Sequence, residues 1–72
     1  MSRQPVESEV TGVVLRIERR VGERVGADDE VIFVESMKME IPVCATGSGV
    51  IAEILVKEGD QVSAGQVVFV LG

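Results

Sequence analysis

The chain has no tryptophan, no tyrosine and no histidine, and its aromatic content is only 3%. Histidine is the most frequent general acid or base near neutral pH and the commonest metal ligand. A chain of 72 residues forms one domain, and such a domain buries only roughly 60% of the surface that its unfolded form exposes, which leaves little room for a deep cleft. We therefore expect a protein that is not itself an enzyme and that holds no metal ion.

Positive charge, cysteine and long apolar runs are also scarce. Seven Lys and Arg residues face 12 Asp and Glu residues, and the net charge of −5 argues against binding to nucleic acid. The single cysteine, Cys44, cannot form an internal disulfide, which favours a reducing cytoplasmic location. No apolar run approaches the ~20 residues of a membrane span, so no membrane association is expected.

What the sequence does contain is an internal repeat. An offset of 37 residues (49 − 12 = 37) aligns the two halves without a gap. Identical pairs at this offset include Gly12/Gly49, Val13/Val50, Ile17/Ile54, Gly22/Gly59, Val25/Val62, Ala27/Ala64 and Val31/Val68. Two copies are too few for a solenoid, so we expect residues 12–34 and 49–71 to close on each other as one pseudo-twofold domain. Lys38 lies in the joint, and we expect the twofold axis to pass near it.

Short Val- and Ile-rich segments broken by glycine and acidic turns predict an all-β fold. The predicted strands are residues 6–10, 12–19, 31–36, 39–43, 49–56 and 67–71, with short extended pieces around Val25 and Val62. Two small antiparallel sheets that face each other as a flattened barrel or sandwich would protect the sheet edges from aggregation.

The joint between the repeats requires a chain reversal between residues 31–34 and 41–43, which predicts a tight hairpin with Lys38 at its tip. No Gly, Asn, Asp or Pro lies within residues 36–39, so ordinary turn chemistry does not explain this segment. A segment that breaks a local rule points to function. We therefore interpret Lys38 as an attachment point.

The segment Glu35-Ser36-Met37-Lys38-Met39-Glu40-Ile41-Pro42 resembles the attachment motif of biotinyl domains, the biotin carboxyl carrier family. The resemblance spans nearly the whole chain, because Gly12, Gly49 and the Glu58-Gly59-Asp60 turn also fit the family pattern. It implies that residues 1–72 form a single biotinyl-type domain with the barrel-sandwich hybrid fold, most similar to a minimal free-standing carrier protein.

The same resemblance implies that biotin is joined to Lys38 by an amide bond, which a biotin protein ligase installs. Biotin would then carry carboxyl groups between a biotin carboxylase and a carboxyltransferase, with the carrier itself monomeric. The neighbours of Lys38 predicted to guide the ligase or the carboxylase are Ser36, Met37, Met39, Glu35 and Glu40.

Three alternatives stay open. Lys38 could instead hold lipoate, although lipoyl domains usually have Asp before and Ala after the lysine. The fold could serve as an unmodified protein-interaction module, with Lys38 a solvated turn residue and the methionines filling a gap at the core edge. Finally, the acidic run Asp28-Asp29-Glu30 could bind a cation, although a solvated turn is the simpler interpretation. Cys44 is interpreted as a small hydrophobic residue at a strand end.

Overall fold

The computed structural model describes residues 3–72, and these residues form two four-stranded antiparallel sheets. The strands are β1 (Gln4–Glu7), β2 (Gly12–Ile17), β3 (Arg24–Val25), β4 (Glu30–Ser36), β5 (Met39–Cys44), β6 (Gly49–Ile54), β7 (Gln61–Val62) and β8 (Val67–Leu71). The strand order is β1-β8-β6-β3 in one sheet and β5-β4-β2-β7 in the other. The predicted all-β fold of two antiparallel sheets is confirmed, including the short strands at Val25 and Val62.

The core lies between the two sheets and consists almost entirely of aliphatic side chains. Its buried members are Val6, Val14, Val25, Val31, Ile32, Val34, Val43, Ala45, Ile51, Val56, Val62, Val68, Phe69 and Leu71. β-Branched residues predominate because they pack well on a pleated surface. Most of these positions recur at the offset of 37, so each sheet contributes an equivalent set of side chains to the core.

The repeat is visible in the backbone hydrogen bonds that join its two halves within each sheet. The amide of Gly22 donates to the carbonyl of Ile51 at 2.7 Å, and the amide of Gly59 donates to the carbonyl of Val14 at 2.8 Å. Gly22 and Gly59 both have positive φ, 94° and 91°, a conformation that glycine adopts without a Cβ penalty. The first turn of each half is therefore hydrogen-bonded to a strand of the other half, the turn at Gly22 to β6 and the turn at Gly59 to β2.

The strand pairing corrects the predicted position of the twofold axis. The offset of 37 makes β1 equivalent to β5, and it matches Pro5-Val6 with Pro42-Val43 (42 − 5 = 37), a part of the repeat that the sequence analysis missed. The axis therefore exchanges the β4–β5 hairpin with the paired chain ends, where Gln4 lies opposite Leu71. An axis near Lys38 is wrong, because Lys38 is exchanged rather than fixed by the symmetry.

Several predicted strand ends also differ from the observed ones. The first strand was predicted at residues 6–10 but covers Gln4–Glu7. It ends there because the buried hydroxyl of Ser8 donates to the carbonyl of Val10 at 2.6 Å and turns the chain. The strands predicted to reach residues 19 and 56 end at Ile17 and Ile54, where the chain leaves one sheet to cross to the other.

Residues 3–72 include no helix that is long and apolar enough to cross a membrane.

Candidate functional site

The β4–β5 hairpin ends in a two-residue loop. Ser36 lies opposite Met39, which leaves Met37 and Lys38 as the loop residues. Their φ angles are 53° and 66°. Positive φ at both central positions is the property of a type I′ turn, whose twist matches that of the flanking strands. Lys38 is therefore at the tip of the hairpin, as the sequence predicts.

The turn adopts this conformation with two unsuitable residues. Type I′ turns strongly favour Asn-Gly, because a side chain with a Cβ atom in the left-handed region costs roughly 1–2 kcal/mol. Both Met37 and Lys38 have such side chains, and among residues 3–72 the only other non-glycine residue with positive φ is Asp28. The flanking strands must supply the stability that the turn residues do not. Strain that persists at one place is an indication of function there.

The three side chains at the tip project into solvent. Lys38 is exposed, Met37 is 93% exposed and Met39 is 60% exposed. Within residues 3–72 the Lys38 amine has neither a hydrogen-bond partner nor an ion-pair partner. The interpretation of the methionines as gap fillers in the core edge is therefore wrong. Both are free to contact another protein.

Two carboxylates flank the tip, and they have different environments. Glu35 and Glu40 lie directly opposite each other on β4 and β5, where like charges are destabilising. Glu40 Oε1 forms an ion pair with Arg16 Nη1 at 3.1 Å. Glu35 makes no ion pair with any residue of the described part of the chain. The structure thus brings all six predicted site residues, 35–40, together at one end of the hairpin.

Arg16 was not among the predicted site residues. Its Nε donates to Glu18 Oε2 at 2.7 Å, and its Cζ atom lies 4.1 Å from the centroid of the Phe33 ring. The hydrogen bond to Glu18, followed by the one to Glu40, raises the pKa of Arg16 above its ordinary value. Arg16 therefore joins the hairpin to the neighbouring strand β2 on the outer face of the sheet.

The base of the hairpin is fixed by a close backbone approach at Gly12. A Cβ atom built on Gly12 would lie 2.1 Å from the carbonyl oxygen of Glu35 and 2.9 Å from Cγ1 of Val34. At the equivalent Gly49, the nearest atoms would be 3.7 and 3.8 Å away. Gly12 is therefore needed at this position for a reason that does not apply to its partner in the repeat.

The other candidate features lie away from the tip. Cys44 is half-buried at the end of β5, beside a depression of about 320 Å³ that Val6 and Val43 also line. Burial, reinforced by the carboxylate of Glu30, raises the pKa of its thiol. No group of three or more His, Cys, Asp or Glu side chains in residues 3–72 is arranged to hold a metal ion. Residues 35–40 do not line the depressions formed by residues 18–19 with 28–30, by residues 6, 7 and 9 with 28 and 43–46, or by residues 18 and 20–23.

Comparison with known proteins gives a consistent result. The family model described as "Biotin-requiring enzyme" matches residues 3–71. A relative named biotinylated protein TB7.3 homolog, from Mycobacterium leprae, is 35% identical over 68 residues, which cover 94% of this chain and 96% of the relative. The biotin/lipoyl attachment protein of Bacillus subtilis is 38% identical over 66 residues, which cover 92% of this chain and 90% of the relative.

Two solved structures extend the comparison. The urea carboxylase of Kluyveromyces lactis contains a segment with a TM-score of 0.96 and 42% identity, which covers 100% of this chain but only 6% of that protein. The lipoyl domain of the 2-oxoglutarate dehydrogenase complex from Azotobacter vinelandii has a TM-score of 0.73 and 29% identity, with coverage of 93% of this chain and 95% of that domain.

Proposed function

The chain belongs to the biotin/lipoyl attachment domain family, and from this premise we propose that it is a biotin carboxyl carrier protein with biotin on Lys38. The observation that carries the proposal is the hairpin tip. An amine without a partner among the described residues projects from a strained turn between two exposed methionines. Residues 12–34 and 49–71 act in this proposal as the two halves of a single biotinyl-type domain, joined through the Lys38 hairpin.

The hairpin suits covalent attachment of biotin. ATP first activates the carboxyl group of biotin as an acyl adenylate, with release of pyrophosphate. The neutral Nζ of Lys38 then attacks the carboxyl carbon, the bond from that carbon to the phosphate oxygen breaks, AMP leaves and Nζ gives up a proton as the amide forms. An exposed tip allows a ligase to surround the amine, while the strand pairs Glu35–Glu40 and Ser36–Met39 fix where the arm begins. A flexible arm on a fixed base raises the effective concentration of its end at two partner sites.

Within this proposal the chain is a carrier and not a catalyst. Attached biotin supplies the group that accepts a carboxyl group at a biotin carboxylase and releases it at a carboxyltransferase. The contribution of the protein is to present Lys38 on a convex tip with exposed recognition side chains. A biotin protein ligase and the two carboxylase components are the partners, and a cytoplasmic location, predicted from the single cysteine, is part of the same proposal.

Biotin is preferred to lipoate for two reasons. Met37 and Met39 on either side of Lys38 are typical of biotinyl domains rather than of lipoyl domains. The similarity to the urea carboxylase segment, with a TM-score of 0.96, also exceeds the similarity to the lipoyl domain, with a TM-score of 0.73. Lipoate on the same lysine is the second candidate, because the family includes carriers of both cofactors.

The test is the intact mass of the protein after incubation with biotin, ATP and a biotin protein ligase. We expect the mass to rise by that of biotin less one water, with the added group on the peptide that contains Lys38. Lys38→Arg should abolish the increment and keep the fold. Lys57→Arg is the matched control, because Lys57 is the only other lysine, and it should be labelled like the wild type.

Other outcomes of the same experiment distinguish the candidates. An increment that appears only with lipoate and a lipoate ligase would favour the lipoyl carrier. No increment with either ligase would favour the unmodified interaction module. Labelling that survives in Lys38→Arg would contradict the assignment of the attachment residue.

A further inference from the structure

One ion pair on the outer face of the β5-β4-β2-β7 sheet crosses the attachment hairpin. Arg16 on β2 contacts Glu40 on β5 at 3.1 Å, and the guanidinium covers the ring of Phe33 on the intervening strand β4. Phe33 in turn lies opposite Pro42 of β5. The ion pair therefore spans three strands and ends two residues after Lys38.

The other half of the repeat contains the same ion pair with its charges exchanged. The offset of 37 relates Glu40 to Arg3 (40 − 37 = 3) and Arg16 to Glu53 (16 + 37 = 53), and Arg3 forms an ion pair with Glu53. One half thus has a cation immediately before its edge strand β1, and the other half has an anion on its edge strand β5. Because the fold accepts both polarities, packing does not require a carboxylate at position 40. The negative charge at position 40 can therefore serve a purpose other than packing.

The geometry of Glu40 leaves part of its carboxylate accessible. Arg16 contacts Oε1, whereas Oε2 of Glu40 has no ion-pair partner among residues 3–72. The Glu40 side chain remains 56% exposed. Arg16 also shares its single positive charge with Glu18 at 2.7 Å, so the three side chains together keep a net negative charge. Arg16 thus holds the Glu40 carboxylate through Oε1, while Oε2 remains accessible to another molecule.

From these observations we propose that Arg16 is a positioning residue for the modification of Lys38. It holds the Glu40 carboxylate on the outer face of the hairpin, where a cationic surface of the ligase that acylates Lys38 contacts it. The inference rests on the proposed function. Neither Arg16 nor Glu40 contacts Nζ of Lys38, so both act on docking of the ligase and not on the transfer of the acyl group.

The main test exchanges the two charges. In the variant Arg16→Glu/Glu40→Arg the ion pair is kept with reversed polarity, and the control Arg3→Glu/Glu53→Arg makes the same exchange in the other half. Charges at the rim of an interface change association rates and salt dependence, so we expect the hairpin exchange to raise the KM of the ligase about threefold to tenfold. Its kcat should stay within about twofold of the wild type. The control exchange should leave both constants within about twofold.

Single substitutions separate positioning from a purely structural role. Arg16→Gln should raise the KM of the ligase. Arg16→Lys should raise it much less, because lysine keeps a cation near Glu40. If Arg16 acts through Glu40, the KM of the ligase for the double variant Arg16→Gln/Glu40→Gln should be no higher than its KM for Glu40→Gln alone. Thermal unfolding of each variant checks that the fold is kept, and raising the salt concentration should reduce the differences in KM.

The outcomes decide between the alternatives. An unchanged KM for the folded hairpin exchange, or additive effects of Arg16→Gln and Glu40→Gln, would overturn the proposal. If the exchange does not fold, an unchanged KM for Glu40→Gln would overturn it equally. The wild-type rate with biotin ligase tests the proposed function separately. If only a lipoate ligase modifies the wild type, the KM of each variant relative to the wild type is measured with that enzyme instead. If neither ligase modifies the wild type, both proposals fail.

Discussion

Replacing Gly12 with alanine tests how strongly the β4–β5 hairpin depends on the close approach of the β2 backbone. The new Cβ atom would lie 2.1 Å from the Glu35 carbonyl oxygen, whereas ordinary van der Waals contact begins at 3.4 Å. The backbones of β2 and β4 must therefore separate by about 1.3 Å (3.4 − 2.1) at this point. Because a backbone atom of a paired strand is the obstacle, we expect a cost at the upper end of the overpacking range, about 3 kcal/mol. In a domain of this size that lowers Tm by roughly 12–24 °C.

Thermal unfolding followed by circular dichroism measures this loss, and Gly49→Ala provides the matched control. Gly49 occupies the equivalent place in the repeat, its φ is not in the left-handed region, and its new Cβ would meet atoms no closer than 3.7 Å. Its stability should therefore change by less than about 1 kcal/mol in either direction. Equal decreases in Tm for the two variants would contradict the argument, because they would show that the repeat position, and not the contact with Glu35, determines the cost.

Three further predictions concern the turn, the pH dependence of stability and the thiol. Met37→Asn should stabilise the protein by about 1 kcal/mol, because asparagine tolerates positive φ, and melting curves measure this gain. Under the proposed function the same variant should slow ligation at Lys38, because it removes an exposed side chain proposed to contact the ligase, and ligation rates measure this effect. The pKa of Glu23 is lowered by hydrogen bonds from the Arg19 side chain and a backbone amide, so its contribution is present above the ordinary carboxyl pKa and lost as pH falls through the folded value. The Tm difference between wild type and Glu23→Gln should therefore be larger at pH 7 than at about pH 3. Cys44 should react with iodoacetamide at pH 8 more slowly in the folded protein than in denaturant, because its thiol pKa is raised mainly by burial.

The strands and the hairpin could be predicted because they follow from local pattern and from the repeat. Alternation of apolar residues and the recurrence of glycine at a fixed offset are properties of the sequence alone. The type of the turn could not be predicted, because Met37 and Lys38 have no preference for positive φ. Their conformation is imposed by the register in which Ser36 lies opposite Met39.

The contact between Arg16 and Glu40 could not be predicted for a different reason. Side chains two residues apart on a regular strand point to the same face, and Val14 points into the core. If the side chains of β2 alternated strictly between the two faces, the Arg16 side chain would therefore be buried. The register shifts between Val14 and Arg16, and this bulge turns the guanidinium to the outer face. A similar shift between Ile51 and Glu53 affects the equivalent position.

The pairing of Gln4 with Leu71 has a practical meaning for the topology of the chain. The start of β1 and the end of β8 are adjacent, so the two strands resemble a hairpin whose loop has been opened. A short synthetic linker between residues 4 and 71 could close this hairpin, and the backbone of these residues would become a ring. A ring of this kind can be reopened at any exposed connection, for example near Thr46-Gly47-Ser48, to yield circularly permuted carriers with the same sheets. The loop of Met37 and Lys38 must remain intact in every such permutant if the proposed attachment site is to be kept.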